Sequence, residues 1–173
     1  AMAAAPARAN LIVNGGFDTD ASSWTSGAIG VGGYISFFGN PAGSFLLNNS
    51  GFLASDPFIE QTVSGLSIGT SYTIGFETAL HVNFGGSSAN TNASFGVFVD
   101  GSAVLLKHEL GAGFIADAIA FTATSASHTI RFAAELSAFG SAAVPGVTGG
   151  ISDVSYYLDN VSLTADSTSA IPA

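Results

Sequence analysis

Not one of the 173 residues is cysteine. That absence excludes a disulfide framework, a thiolate-ligated zinc site and a thiol nucleophile together. Positive charge is nearly as scarce: three Lys and Arg stand against twelve Asp and Glu, a formal net charge of -9. Such a surface repels phosphate backbones and anionic lipid headgroups, so nucleic acid is not an expected partner. Acids without basic partners do invite a divalent cation, which takes hard oxygen ligands. No apolar run approaches the ~18 residues that span a bilayer, so membrane insertion of this domain is not expected. Charged residues make up 9% and hydrophobic residues 47%, a balance opposite to that of disordered chains.

Glycine (22) and phenylalanine (14) dominate what is present. Short β-rich runs alternate with Gly, Ser, Asn and Asp clusters, and helical periodicity is nearly absent. In 71–82, Tyr72, Ile74, Phe76 and Leu80 share one face while Thr73, Gly75, Glu77 and Ala79 share the other; this is the period-two pattern of a half-buried strand. In 128–136 the pattern recurs, with Ile130, Phe132, Ala134 and Leu136 inward and Arg131 and Glu135 outward. Further strands are predicted over 29–38, 44–48, 58–63, 93–99, 103–109, 114–122 and 156–164. Asp100-Gly101 reads as a tight hairpin turn. About nine short strands without a fixed repeat predict an all-β fold, a sandwich or a barrel, with a two-sheet antiparallel β-sandwich the expected form, in one domain over 10–165.

The ends differ in character. Residues 1–9 carry Ala7 and Ala9 in an A-x-A pattern, expected of a signal-peptide remnant or an N-terminal tail. Residues 166–173 form a Ser/Thr/Ala-rich spacer. An exported, secreted or cell-surface location follows as an expectation.

Catalysis finds little support. His81, His108 and His128 stand apart with no Ser- or acid-centred motif around them. Neither Gly30-Val31-Gly32-Gly33 nor Gly85-Gly86-Ser87-Ser88 leads into a helix that would hold phosphate. Distant strands can bring Glu60, Glu77, Glu109 or Glu135 together for glycoside hydrolysis, but nothing singles out a pair. A non-enzyme is the expectation.

Three segments carry a resemblance. Asn10-Leu11-Ile12-Val13-Asn14-Gly15-Gly16-Phe17-Asp18, with Trp24 following, resembles the opening of jelly-roll carbohydrate-binding modules. Ile59-Glu60-Gln61-Thr62-Val63-Ser64-Gly65-Leu66, then Gly69-Thr70-Ser71-Tyr72, resembles their strand–turn–strand. Tyr156-Tyr157-Leu158-Asp159-Asn160-Val161-Ser162-Leu163 resembles their closing strand. The same ending, with its spacer, is similar to bacterial surface proteins that carry a PEP-CTERM sorting tail.

The resemblance implies a β-jelly-roll that binds a polysaccharide or cell-surface glycan. It also implies a structural Ca2+ shared by Asp18 and Asp159, with Asn14 and Asp20 as further ligands by proximity. The alternative for Asp18 and Asp159 is turn capping or strand-edge hydrogen bonding. Apolar Leu158 and Val161 lie at an odd spacing around Asp159, which a bulge or a strand buried on both faces would reconcile. Trp24, Tyr34, Tyr156 and Tyr157 are the candidate sugar-stacking rings. A second functional class stays open: a self-associating structural protein of a bacterial surface, filament or biofilm matrix. Low charge and strong β character suit its edge-to-edge contacts.

Overall fold

The computed structural model describes residues 9–27, 32–49, 56–81, 94–107, 113–135 and 154–166. Ten strands form: β1 (Thr25–Gly27), β2 (Gly33–Ile35), β3 (Ser44–Asn49), β4 (Phe58–Ser64), β5 (Ser71–His81), β6 (Ser94–Val99), β7 (Ser102–Lys107), β8 (Ile115–Thr122), β9 (Ser127–Glu135) and β10 (Val154–Ala165). They build two five-stranded sheets, β1-β4-β9-β6-β7 and β2-β3-β10-β5-β8. Every pairing is antiparallel. The expected all-β sandwich is what the chain forms.

Alternation sets the core. Ile74, Phe76, Ile59, Phe95, Val97, Ile130, Phe132, Tyr156, Leu158 and Leu163 are all buried between the sheets. Phe95 meets Phe76 at 5.5 Å, Phe132 at 6.1 Å and Tyr156 edge-on at 5.6 Å. Such tilted and edge-on rings add to the area they bury.

The structure corrects the strand expected over 29–38. Its described part is strand only at Gly33–Ile35. Phe38 leaves the sheet and folds back, its ring 4.5 Å from Tyr157 and 5.1 Å from Phe114. Thr25–Gly27 was not foreseen, because three mostly exposed residues carry no alternation. His108, Glu109, Leu136, Gly85-Gly86-Ser87-Ser88, 1–8 and 167–173 lie outside the described residues.

The hairpin at Asp100-Gly101 forms as expected, with φ of 50° and 79°. It does more than turn the chain. Asp100 Oδ2 lies 2.5 Å from His128 Nδ1, and Asp100 Oδ1 accepts from the Thr129 amide at 2.8 Å. Burial opposes the Asp100 charge, but the Thr129 amide and His128 outweigh it and hold the carboxyl below its ordinary value. His128 Nε2 accepts the Thr124 and Ser125 amides, each at 3.1 Å. With Nε2 accepting, Nδ1 carries the proton and donates to Asp100. His128→Ala would leave two amides and a carboxylate without this partner. It is expected to cost about 2 kcal/mol, read as a fall of roughly 6 °C in a thermal melt.

Candidate functional site

The three recognised segments meet at one edge of the sandwich. Leu11 N–H donates to Leu163 O and Val161 N–H to Gly15 O, both at 2.9 Å, laying the N-terminal segment along the end of β10. Asn10 Oδ1 accepts from Leu163 N at 2.8 Å and from Ile12 N at 3.0 Å. On the other sheet, the buried Gln61 accepts from Val13 N at 2.9 Å and donates to Val13 O at 3.0 Å and Ser23 O at 3.1 Å. A side-chain amide thus replaces a backbone ladder partner, tying the segment to both sheets.

The bulge around Asp159 is present. Asp159 faces Glu77 on β5 and Ser162 faces Gly75, so β10 holds one extra residue there. Asn160 takes φ 50° to make it. The slip returns Val161 to the core beside Leu158, at 2% and 0% exposure, and leaves Asp159 on the outer side of its sheet.

Asp159 is nevertheless wholly buried, because the loop between β2 and β3 folds over it. Its Oδ2 accepts from Asn40 N and its Oδ1 from Asn160 N, both at 2.7 Å. Glu77 Oε2 accepts from the Asn40 and Asn160 side-chain amides, both at 3.1 Å, and the Asn160 amide also donates to Asn40 O. Burial pushes the Asp159 carboxyl above its ordinary value; the two amides oppose this, and the charges of Glu77 and Asp18 add to it. Asp18 follows Phe17, which is held at φ 47°, a strained value for a bulky residue.

The structure therefore brings Asp18 and Asp159 within electrostatic reach and adds Glu77, Asn40 and Asn160. Asn14 and Asp20, the further expected ligands, are engaged with each other. Asn14 Nδ2 donates to Asp20 Oδ1 at 2.9 Å and to Ser22 O at 3.1 Å. Ser22, through its hydroxyl and its amide, lowers the Asp20 carboxyl. These two residues brace their own turn, because Asn14 at φ 54° points its amide across it. Among the described residues, no three acidic or histidine side chains converge as a preformed metal-binding group.

The expected sugar-stacking rings are wholly or partly covered. Tyr156 is wholly buried, so it has no face to offer; β-parity puts it opposite Leu80 and Leu47 in the core. Trp24 packs on Phe17 at 5.5 Å and Phe132 at 6.2 Å, and its Nε1–H donates to Asn14 O at 3.0 Å. Tyr157 lies beneath Phe38 at 8% exposure. Tyr34 is half-buried and donates to Asp18 O at 3.3 Å.

The outer face of the β1-β4-β9-β6-β7 sheet carries a different set. Register places Gly27, Phe58, Ala133, Gly96 and Leu106 in one row, and Thr25, Glu60, Arg131, Phe98 and Ala103 in the next. Thr62 and Thr129 follow, their hydroxyls 2.8 Å apart. Arg131 Nε donates to Glu60 Oε2 at 2.7 Å while its guanidinium lies 3.9 Å from the Phe58 ring centroid. The Phe58 ring fills the space a Cβ at Gly27 would take. Glu60 and Glu77 occupy the outer faces of opposite sheets and form no carboxylate pair.

Solved structures share this architecture. TmCBM61, solved in complex with β-1,4-galactotriose, matches 91% of this chain and 99% of its own at 15% identity, TM-score 0.58. The CBM22-1 xylan-binding domain of Paenibacillus barcinonensis Xyn10C matches 94% and 97% at 12% identity, TM-score 0.58. The tailspike protein 4 enzymatically active domain of bacteriophage CBA120 matches 91% of this chain at 16% identity and TM-score 0.59, and the chain spans 21% of its length. The shared fold is a jelly-roll β-sandwich. No family model and no curated protein matches the chain.

Sequence reasoning placed Arg131 outward but did not join it with Phe58, Phe98 and Glu60 as one surface. Parity held the signal: Phe58 shares its face with Glu60 and Thr62, and Phe98 opposes Phe95, Val97 and Val99.

Proposed function

We propose that this chain is a non-catalytic, extracellular carbohydrate-binding module whose glycan lies on the outer face of the β1-β4-β9-β6-β7 sheet. One observation carries the reading: Phe58 and Phe98, the Glu60–Arg131 pair and the Thr62–Thr129 hydroxyls share that one face. Aromatic faces take the apolar C–H side of a pyranose, and hydroxyl, guanidinium and carboxylate groups take its hydroxyls. The other sheet is less suited, because Phe38 and Asn40 of its own loop cover Tyr157 and Asp159. Two of the structural relatives, one solved with β-1,4-galactotriose and one a xylan-binding domain, agree with the reading.

Against catalysis, both nitrogens of the buried His128 are engaged, so its Asp100 pair acts as a brace rather than a general base. Among the described residues no helix is long and apolar enough to cross a membrane.

The test is affinity electrophoresis and calorimetry against a panel of soluble polysaccharides. At least one should bind, and Phe58→Ala and Phe98→Ala should each weaken it about tenfold at a temperature where melting curves show the variants folded. Full binding by both variants would sink the assignment of this face.

A structural Ca2+ belongs to the same proposal. The residues present fit it: Asp159 is a buried carboxylate among other acids, and the one arginine whose side chain is described, Arg131, is on the opposite sheet. Asp159 and Asp18 would hold the ion, with backbone carbonyls completing an oxygen shell. Bound, it would neutralise the cluster and pin the N-terminal segment to β10.

Self-association has one specific support. β8 ends its sheet with eight residues, Ile115 is 46% exposed, and Asp117 is the strand's one charge. Sedimentation without sugar reads it: a monomer across the micromolar range would remove it.

A further inference from the structure

We infer that Glu60 sets the charge selectivity of the glycan face, making it a site for uncharged polysaccharide and excluding acidic ones. The inference rests on the proposed sugar-binding face and adds a substrate class to it.

Arg131 is the one cation whose side chain is described on that face, and the chain has only three Lys and Arg in all. A guanidinium beside stacking rings is ordinarily a fork for carboxylates and sulfates. Here its Nε–H is committed to Glu60 at 2.7 Å, and its plane lies against Phe58. The register makes this pairing systematic, since Glu60 and Arg131 sit directly opposite each other on β4 and β9. Both are partly exposed, at 23% and 39% for their side chains, so the pair meets any arriving ligand.

A uronate or sulfate would find its only described cationic partner already neutralised, and Glu60 itself would repel it. The rest of the molecule compounds this, with a formal net charge of -9. An uncharged chain meets none of these penalties. It still meets the Phe98 ring, the Thr62 and Thr129 hydroxyls and the exposed part of the Arg131 side chain that covers Phe58. The carboxylate therefore does not weaken the face as a sugar site; it converts a general anion site into one for neutral sugar.

Removing the carboxylate should reverse the preference. Glu60→Gln keeps the shape of the side chain and leaves Arg131 unneutralised. The measured quantity is the ratio of affinities for polygalacturonate or alginate over unsubstituted xylan, β-1,4-galactan or a β-glucan, at low and high salt. The wild-type ratio is expected to be far below one, with neutral binding insensitive to salt. In Glu60→Gln the ratio should rise about tenfold at low salt and fall back as salt screens the new contact. Adding Arg131→Gln to Glu60→Gln should abolish the gain.

Wild-type protein that binds a polyuronate as well as neutral glycans overturns the selectivity, whether or not the variant folds. A Glu60→Gln ratio equal to wild type overturns the role of Glu60. In both cases the sugar-binding face stands if Phe58→Ala still removes binding. Wild-type protein that binds no polysaccharide of either kind sinks the face and this inference together.

Discussion

Gly15→Ala is expected to lower the thermal midpoint by roughly 6–12 °C, about 3 kcal/mol, while Gly16→Ala leaves it nearly unmoved. The two glycines are neighbours in one motif, and neither holds a positive φ. Propensity therefore treats them alike; packing does not. A Cβ on Gly15 would stand 2.0 Å from Val161 O and 2.9 Å from its carbon. Both are backbone atoms of β10, which cannot swing aside as a side chain can. Gly15 O also accepts the Val161 amide, so moving apart to relieve the clash would break the bond that seats the N-terminal segment. On Gly16 the nearest atom is an Asp18 carboxylate oxygen at 3.4 Å, an ordinary contact. Parallel melts of the two variants decide the matter. Equal losses would mean that the Val161 carbonyl is not what sets Gly15 apart, because backbone entropy by itself favours alanine at both positions. No loss in Gly15→Ala would mean that the N-terminal segment is not held against β10.

That contrast explains how much of the molecule was legible in the sequence. Motif residues were readable because they solve a local problem: Gly15 admits Val161, Gln61 pairs with Val13, and Asn10 caps Leu163. Strand parity predicted the core, and the odd Leu158–Val161 spacing pointed to the bulge that now places Asp159. What parity alone could not supply was which residues a loop would cover. Tyr157 and Asp159 lie on an outer face by alternation, yet Phe38 and Asn40 bury them from a distance of more than a hundred residues. The same long-range step hid Glu77 and Asn40 as neighbours of Asp159. Phe58 and Phe98 were not singled out, for the opposite reason. Phenylalanine is usually core, and only the pairing of Phe58 with Gly27 and of Arg131 with Phe98 puts these two half-buried rings on the outer face.

Chelation should lower the midpoint by roughly 8 °C near neutral pH if the protein has been saturated with Ca2+. At a hundredfold excess over the dissociation constant a ligand adds about 2.7 kcal/mol. The pH dependence gives the cluster a sharper signature. In metal-free protein the Asp159 carboxyl lies above its ordinary value, chiefly through burial. Between the unfolded value, about 3.9, and that raised value, the folded state holds more protons than the unfolded one. Its contribution to stability therefore falls as pH rises through that window and is regained on mild acidification. Asp20 and Asp100 are shifted the other way. Their contribution is complete above the ordinary Asp value and is lost only as pH falls below it, so they do not mask the window. Bound calcium would invert the trend, because an ion on Asp159 would hold it charged and protons would compete with it. Midpoints with chelator should rise relative to Asp159→Asn as pH falls from neutral toward the ordinary Asp value, while midpoints with Ca2+ fall toward them. Asp159→Asn should respond to neither chelator nor ion. A calcium-independent midpoint in wild-type protein would leave Asp159 as a hydrogen-bonded brace for Asn40 and Asn160, and the N-terminal segment held by its hydrogen bonds to Gln61, Val161 and Leu163.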